Sequence, residues 1–205
     1  MKLVIFGASG ATGRQLVQQA LETGHAVTVL LRSANSLAIA HPRLTPIVGT
    51  LDHPATVQAA ISGADVVVSV LGVRKGGPQT VCTDGMRSIL PAMQRAGVRR
   101  LIALSAYGAA ETRAASWFIR VVRLLIAGKM RDKDGMEALV RTSATDWTLV
   151  RPPALTNGAA SGSYRCGVAL RPGVTGHVSR ADLAAFILRT AENGAYFHEA
   201  PIVSE

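Results

Sequence analysis

The sequence predicts a doubly wound α/β domain built on a parallel sheet. Three observations carry that expectation. Short, mostly apolar runs alternate with longer segments of helical periodicity, the way strands covered on both faces read. A glycine-rich turn, Gly7-Ala8-Ser9-Gly10-Ala11-Thr12-Gly13, stands between the first run and the first helical segment. The length of 205 residues, 48% of them hydrophobic, suits one domain whose core needs no disulfide or metal to hold it.

The elements follow in order along the chain. Residues 3–6, 27–31, 44–48, 66–71, 101–104 and 148–150 supply six strands. A first helix is expected over residues 12–23, where Leu16, Val17, Ala20 and Leu21 share a face and Gly24 is the stop signal. Further helices are expected over 55–61 (ending at Gly63), 81–96 (closing at Gly97) and 134–141. Strands that alternate with helices in this way are joined by crossovers and run parallel. After Pro152-Pro153 the rhythm changes. Residues 157–162 form a small-residue loop, residues 163–170 read as strand, and Ser179-Arg180-Ala181-Asp182 reads as a capping box opening a helix over 183–192. The expectation is a single domain over 1–205. Its last part, from about 152, folds over the open sheet edge and the strand ends and covers a substrate.

Composition excludes several classes. Lys and Arg number 22 against 13 Asp and Glu, a net charge of +9. The basic residues are scattered, 18 Arg and 4 Lys, and aromatics make up only 4%. Few platforms exist on which bases could stack, and no nucleic-acid partner is expected. Cys82 and Cys166 lie far apart with no Cys-x-x-Cys pair, and Met1-Lys2 leads directly into a strand. A reducing, cytoplasmic setting is the expectation. The greasiest stretch, residues 117–126, is interrupted by Arg120 and Arg123 and falls well short of the ~20 residues that span a bilayer. The five histidines show no paired spacing, so no metal site is expected.

The glycine-rich turn has the spacing Gly-x-x-Gly-x-x-Gly, a variant of the dinucleotide fingerprint. Such a turn lets backbone approach a pyrophosphate closely and aims helix-terminal N–H groups at it. With a strand before it, a helix after it and a second strand beyond, it points to a Rossmann-like nucleotide site. A turn that merely packs helix on strand is the plainer reading. The second strand ends at Arg32, followed by Ser33, Asn35 and Ser36. A site for NADH would place Asp or Glu there; a guanidinium among hydroxyls suits the 2′-phosphate of NADPH.

These features, with others along the chain, resemble the atypical short-chain dehydrogenase/reductases, and among them the flavin reductase/biliverdin-IXβ reductase group. The likeness runs almost end to end. It includes the phosphate turn, Thr28-Val29-Leu30-Leu31-Arg32, Val70-Leu71-Gly72-Val73-Arg74, Ser105-Ala106, Arg151-Pro152-Pro153, Gly162-Ser163-Tyr164 and Val178-Ser179-Arg180-Ala181-Asp182-Leu183. The resemblance implies that Gly7, Ser9, Gly10, Ala11, Thr12 and Gly13 hold the pyrophosphate and Arg32 the 2′-phosphate. It places Thr50 and Leu51 near the adenine and Leu71 and Gly72 along the adenosine ribose. It sets Ser105 facing nicotinamide and substrate, with Pro152 and Pro153 behind the nicotinamide. Two departures stand out. Thr50 takes the place of an Asp common among relatives, and Ala154 the place of a His that some carry after the proline pair.

The acid pair of typical short-chain dehydrogenases, a Tyr with Lys four residues on, is absent. None of Tyr107, Tyr164 and Tyr196 has such a Lys, and the residue four before Lys133 is Lys129. Lys133 is expected on a solvated helix face, with contact to the nicotinamide ribose as the other possibility. A conjugated acceptor, a flavin or linear tetrapyrrole, needs little proton help because its π-system spreads the arriving charge. Orientation then carries most of the catalysis. On this reading Ser105 is the catalytic residue; a strand-end hydroxyl bonded to backbone is its plainer role. Tyr107 and Arg74 are second-rank substrate contacts. Arg74 with Lys75 reads equally as a solvated loop. Residues 116–130 form an amphipathic segment that reads as core or dimer packing, as a lid, or as a membrane-surface helix. The expected protein is an NADPH-dependent reductase, monomer or homodimer. An NADP(H)-sensing protein without turnover and an epimerase or dehydratase are the alternatives.

Overall fold

Valine, isoleucine and leucine fill the central strands because helices bury those strands from both sides. A computed structural model describes residues 1–74 and 76–205. Its sheet contains β1 (Lys2–Phe6), β2 (Ala26–Leu31), β3 (Leu44–Val48), β4 (Val66–Ser69), β5 (Arg100–Leu104) and β6 (Asp146–Val150). They run parallel in the order β3-β2-β1-β4-β5-β6. The expected doubly wound Rossmann-like α/β fold is the one observed.

Alternation along β1 divides the core. Leu3 and Ile5 face a cluster shared with helix α1 (Ala11–Glu22) and helix α6 (Arg180–Asn193). Val4 and Phe6 face the other cluster, built with α2 (Pro54–Ile61), α3 (Val81–Ala96) and α5 (Ala127–Arg141). Gly97 ends α3 in the left-handed conformation at φ 70°, so its backbone N–H bonds back to the last turn.

Several boundaries differ from the sequence reading. The fourth strand stops at Ser69; Val70 N–H still donates to the Phe6 oxygen at 2.9 Å, but residues 70–72 are not strand. The helix expected over 134–141 begins seven residues earlier, at Ala127. The amphipathic segment is two helices rather than one. Helix α4 (Trp117–Leu125) ends where Ile126 leaves the helical region at φ −120° and ψ 35°, two residues before Gly128. Within residues 163–170 only β8 (Arg165–Gly167) is strand.

The C-terminal part runs along the β6 edge of the sheet. β8 pairs with β10 (Ile202–Ser204), and bridges join Thr148 to Glu199 and Arg151 to Ile202 alongside β6. β7 (Leu155–Thr156) pairs with β9 (Val178–Ser179). Ser179 caps α6, accepting from the Asp182 N–H at 2.9 Å. The Asp182 carboxylate in turn accepts from the N–H groups of Ser161 and Gly162, both at 2.9 Å, and so pins the small-residue loop.

Candidate active site

The strand order reverses between β1 and β4, and in open α/β sheets that switch point is where ligands bind. The turn after β1 lies there. A Cβ on Gly7, whose φ is 88°, would stand 2.8 Å from the Val70 carbonyl oxygen, so the segment after β4 closes on the turn. A Cβ on Gly13 would stand 2.2 Å from the Gly7 oxygen and 2.7 Å from Ala8 Cα. The first turn of α1 therefore rests directly on loop backbone. Gly10 is the N-cap and offers no capping side chain, and no acidic residue sits in the first turn. The N–H groups opening α1 have no intrahelical acceptor and no competing carboxylate, a cradle that fits a pyrophosphate.

Two guanidinium groups bracket Ser9. Arg14 donates from Nε to the Ser9 carbonyl at 3.3 Å and from Nη2 to the Ser36 carbonyl at 3.2 Å. Arg74 donates from Nη2 to Ser9 Oγ at 3.1 Å. Arg74, read from sequence as a substrate contact, thus has its guanidinium on the phosphate turn; Lys75 lies outside the described residues. Arg32 is exposed at the end of β2, before the 3₁₀ turn Ala34–Ser36 that Arg14 reaches. Sequence reading passed over Arg14, although it directly follows the third glycine. A cavity of about 210 Å³ joins this turn to the C-terminal segment, lined by Ala11, Arg14, Gln15, Asn157, Arg180 and their neighbours.

Thr50 and Leu51 follow β3, and Leu71 and Gly72 follow β4. A Cβ on Gly85 in α3 would meet Leu71 Cδ1 at 2.4 Å and Leu51 Cδ1 at 3.6 Å. The missing side chain lets α3 come close enough for both leucines to form an apolar corner. At Gly72 a Cβ would meet nothing within 4 Å, so that position borders open space.

Beyond β5 and β6 the backbones stay paired. Ser105 N–H donates to the Val150 oxygen at 2.8 Å and Tyr107 N–H to the Pro152 oxygen at 2.9 Å. Ser105, Tyr107, Pro152 and Pro153 are therefore brought together at one end of the crevice. The Ser105 hydroxyl does not bond to backbone as its plainer reading had it. It donates to Glu137 Oε1 at 2.5 Å, on a helix one layer below.

Glu137 anchors a buried network. Arg151 donates from Nε to Glu137 Oε1 at 2.9 Å, and its Nη2 bonds the other carboxylate oxygen. Arg151 also grips Glu111 with a two-pronged contact at 2.7 and 2.9 Å. Glu137 and Arg151 are 0% and 1% exposed. Burial works against the Arg151 charge, but its bonds to Glu137 and Glu111 outweigh that and push its pKa above the ordinary value. The Arg151 bonds hold the Glu111 carboxyl down at about 2. None of these three stood out in the sequence as a functional candidate.

Lys133 corrects a second expectation. It does not lie on a solvated face. Its Nζ donates to the Leu71 oxygen at 3.0 Å and the Leu104 oxygen at 2.6 Å, spanning the ends of β4 and β5. An ammonium has three donors, so one remains for a ligand in the crevice. The turn before it is fixed from below. The buried Asp132 accepts from the N–H groups of Cys82 and Thr83 at 2.9 and 2.8 Å and caps the first turn of α3.

The fold and the crevice define a dinucleotide-binding α/β protein. A family model described as NAD(P)H-binding matches residues 7–194, and the chain belongs to that family. Among curated relatives, the photosystem II assembly factor Ycf39 of Synechocystis is 30% identical over 115 residues, 54% of this chain and 35% of that protein. The 3-beta-hydroxysteroid dehydrogenase of Mycolicibacterium neoaurum is 30% identical over 113 residues, 49% of this chain and 31% of that protein. The chain thus spans about a third of the length of these two relatives. YwnB of Bacillus subtilis is 24% identical over all of this chain and 99% of its own. Among solved structures, ChuY, an anaerobillin reductase from Escherichia coli O157:H7, superposes with a TM-score of 0.86 over 99% of this chain and 96% of its own, at 22% identity. The oxidoreductase YlbE of Lactococcus lactis does so at 0.85 and 18% identity, over 99% and 90%. Both likenesses show the fold. Among the described residues no helix is long and apolar enough to cross a membrane.

Proposed function

We propose that the chain is an NADPH-dependent reductase that passes hydride to a conjugated acceptor such as a flavin or a linear tetrapyrrole. The observation that carries this reading is the crevice end where Ser105, Tyr107 and Pro152 meet beside Lys133, a lysine with no tyrosine four residues before it. Bound NADPH supplies the hydride. Gly7, Ser9, Gly10, Ala11, Thr12 and Gly13 hold its pyrophosphate, with Arg74 adding charge through its place on Ser9. Arg32 and Arg14 take the 2′-phosphate, and the lack of a carboxylate there sets NADPH above NADH. Thr50 and Leu51 border the adenine, and Leu71 and Gly72 the adenosine ribose.

Lys133 donates its third N–H as a hydrogen bond to a ribose hydroxyl and so fixes where the reactive carbon sits. Pro152 and Pro153 back the nicotinamide. Ser105, its hydrogen committed to Glu137, presents a lone pair toward the crevice and is held in one orientation by that bond. Tyr107 lines the substrate side. Protons reach the acceptor from solvent, since the sequence lacks the paired Tyr and Lys four residues apart. The shared fold with an anaerobillin reductase supports the tetrapyrrole side of this reading. Steady-state NADPH oxidation with riboflavin, FMN, biliverdin and quinones tests it. Turnover with at least one acceptor, faster with NADPH than NADH, is the expected result; none with any acceptor overturns it.

A further inference from the structure

Helix α4 turns its greasiest face to solvent. Trp117, Val121, Leu124 and Leu125 fall within roughly 100° of arc at 3.6 residues per turn, and they are 74%, 44%, 78% and 80% exposed. The core packing expected for this segment is therefore not what holds it. Ile119 is the one buried residue of the helix, packed at Gly108. Arg123 completes the fastening, donating to the Gly108 carbonyl and to Asp134 Oδ2 at 2.7 Å. The helix is strapped to the body by polar bonds, and its apolar stripe is left free. A contiguous exposed stripe of this kind marks an interaction surface.

Charge selects the occupant. Residues 113–131 contain Arg113, Arg120, Arg123, Lys129 and Arg131 and no Asp or Glu. Arg123 is paired with Asp134, while the other four are exposed: Arg120 on α4 itself, and Arg113, Lys129 and Arg131 in the segments that flank it. A second copy docked face to face would bring two basic rims together, since a two-fold interface pairs each patch with itself. A surface apolar within and anionic without is complementary to both features.

We propose that α4 docks on the surface of an anionic lipid bilayer. Trp117, Val121, Leu124 and Leu125 enter the interface, and Arg113, Arg120, Lys129 and Arg131 pair with lipid phosphates. The Arg123 strap ends on Gly108, three residues from Ser105, so docking brings the substrate end of the crevice to the lipid surface. This inference stands apart from the proposed reductase activity, and either can fail alone.

Vesicles of phosphatidylcholine alone and of phosphatidylcholine with phosphatidylglycerol test it on the full chain. The protein has two tryptophans, and Trp147 is already buried at 6% exposure, so a blue shift in emission reports Trp117. The expected result is a blue shift and co-sedimentation with the anionic vesicles, roughly tenfold or more weaker with the neutral ones and reduced by salt. The exposed double substitution Leu124→Glu and Leu125→Glu abolishes both while NADPH binding is retained. Equal behaviour toward the two vesicle types, or no shift with either, overturns the proposal. So does a dimer in sedimentation equilibrium that the double substitution converts to monomer, which would make the stripe an interface between copies.

Discussion

Ser105 and Glu137 share a short hydrogen bond. The hydroxyl at the end of β5 lies 2.5 Å from a carboxylate oxygen that also accepts from Arg151 Nε at 2.9 Å. One atom thus fixes both the serine rotamer and the buried arginine, and the two ought to respond very differently to substitution.

Replacing Ser105 with Ala removes one bond from a carboxylate that keeps Arg151. A stability loss of about 1 kcal/mol is expected, with NADPH affinity little changed and kcat lower by up to about 100-fold through lost orientation of the reacting partners. Glu137→Gln instead leaves Arg151 facing a neutral group in a buried site. Leaving a buried charge wholly uncompensated costs about 3–5 kcal/mol; Arg151 keeps its two bonds to Glu111, so the expected loss lies below that range but above the Ser105→Ala loss. Urea denaturation separates the two, and equal losses would contradict the arrangement.

Arg32 and Arg14 are expected to discriminate between the cofactors. On the proposed site Arg32→Ser removes a charge-assisted bond to the 2′-phosphate, worth about 1.5–3 kcal/mol, so NADPH affinity is expected to fall by about tenfold or more while NADH affinity barely moves. Arg14→Ala adds to that loss and also frees the Ser9 and Ser36 carbonyls it bridges. Calorimetric titration with both nucleotides checks the pair.

Gly13 and Gly72 make a matched contrast. Gly13→Ala forces a Cβ to 2.2 Å from the Gly7 oxygen, and backbone must move to admit it. Loss of cofactor binding and about 1–3 kcal/mol of stability follow from such overpacking. At Gly72 nothing lies within 4 Å of the new Cβ, so Gly72→Ala leaves stability nearly unchanged. Thermal unfolding of the two variants, with and without NADPH, gives the comparison.

Glu111 ties stability to acid. Its carboxyl is held at about 2 against an ordinary 4.5, chiefly by the Arg151 hydrogen bonds. A depressed folded-state value means the stabilisation is complete above pH 4.5 and is lost as pH falls toward 2. The Glu111 side chain is 59% exposed, so salt weakens the effect. Glu111→Gln is expected to flatten the acid limb of a denaturant-midpoint against pH curve.

What could be read in the sequence was what local chemistry dictates. Glycine spacing marked the turn at Gly7 to Gly13, and apolar runs marked all six strands; the residues that end those strands share one sheet edge because parallel strands end on the same side. Charged residues on helices were harder. Lys133 and Glu137 look like an ordinary solvated i, i+4 pair. Yet they lie on the same face as Met130, Met136 and Val140, all three buried, and that coincidence was the available signal. Arg151 entered only as part of the run Arg151-Pro152-Pro153, since its value depends on Glu111, forty residues away. Helix α4 failed in the opposite sense. Its hydrophobic periodicity is real, but periodicity does not say which side the rest of the protein occupies.

The central claim is that hydride held at the Ser105 end of the crevice passes to a conjugated acceptor. Anaerobic single-turnover mixing of the enzyme–NADPH complex with FMN or biliverdin tests it most directly, followed through the reduced-nicotinamide absorbance. The absorbance is expected to decay with at least one acceptor, and more slowly when the transferred hydrogen is deuterium. Tight NADPH binding with no decay in the presence of any acceptor would contradict it, and would mark the chain as a nucleotide sensor instead.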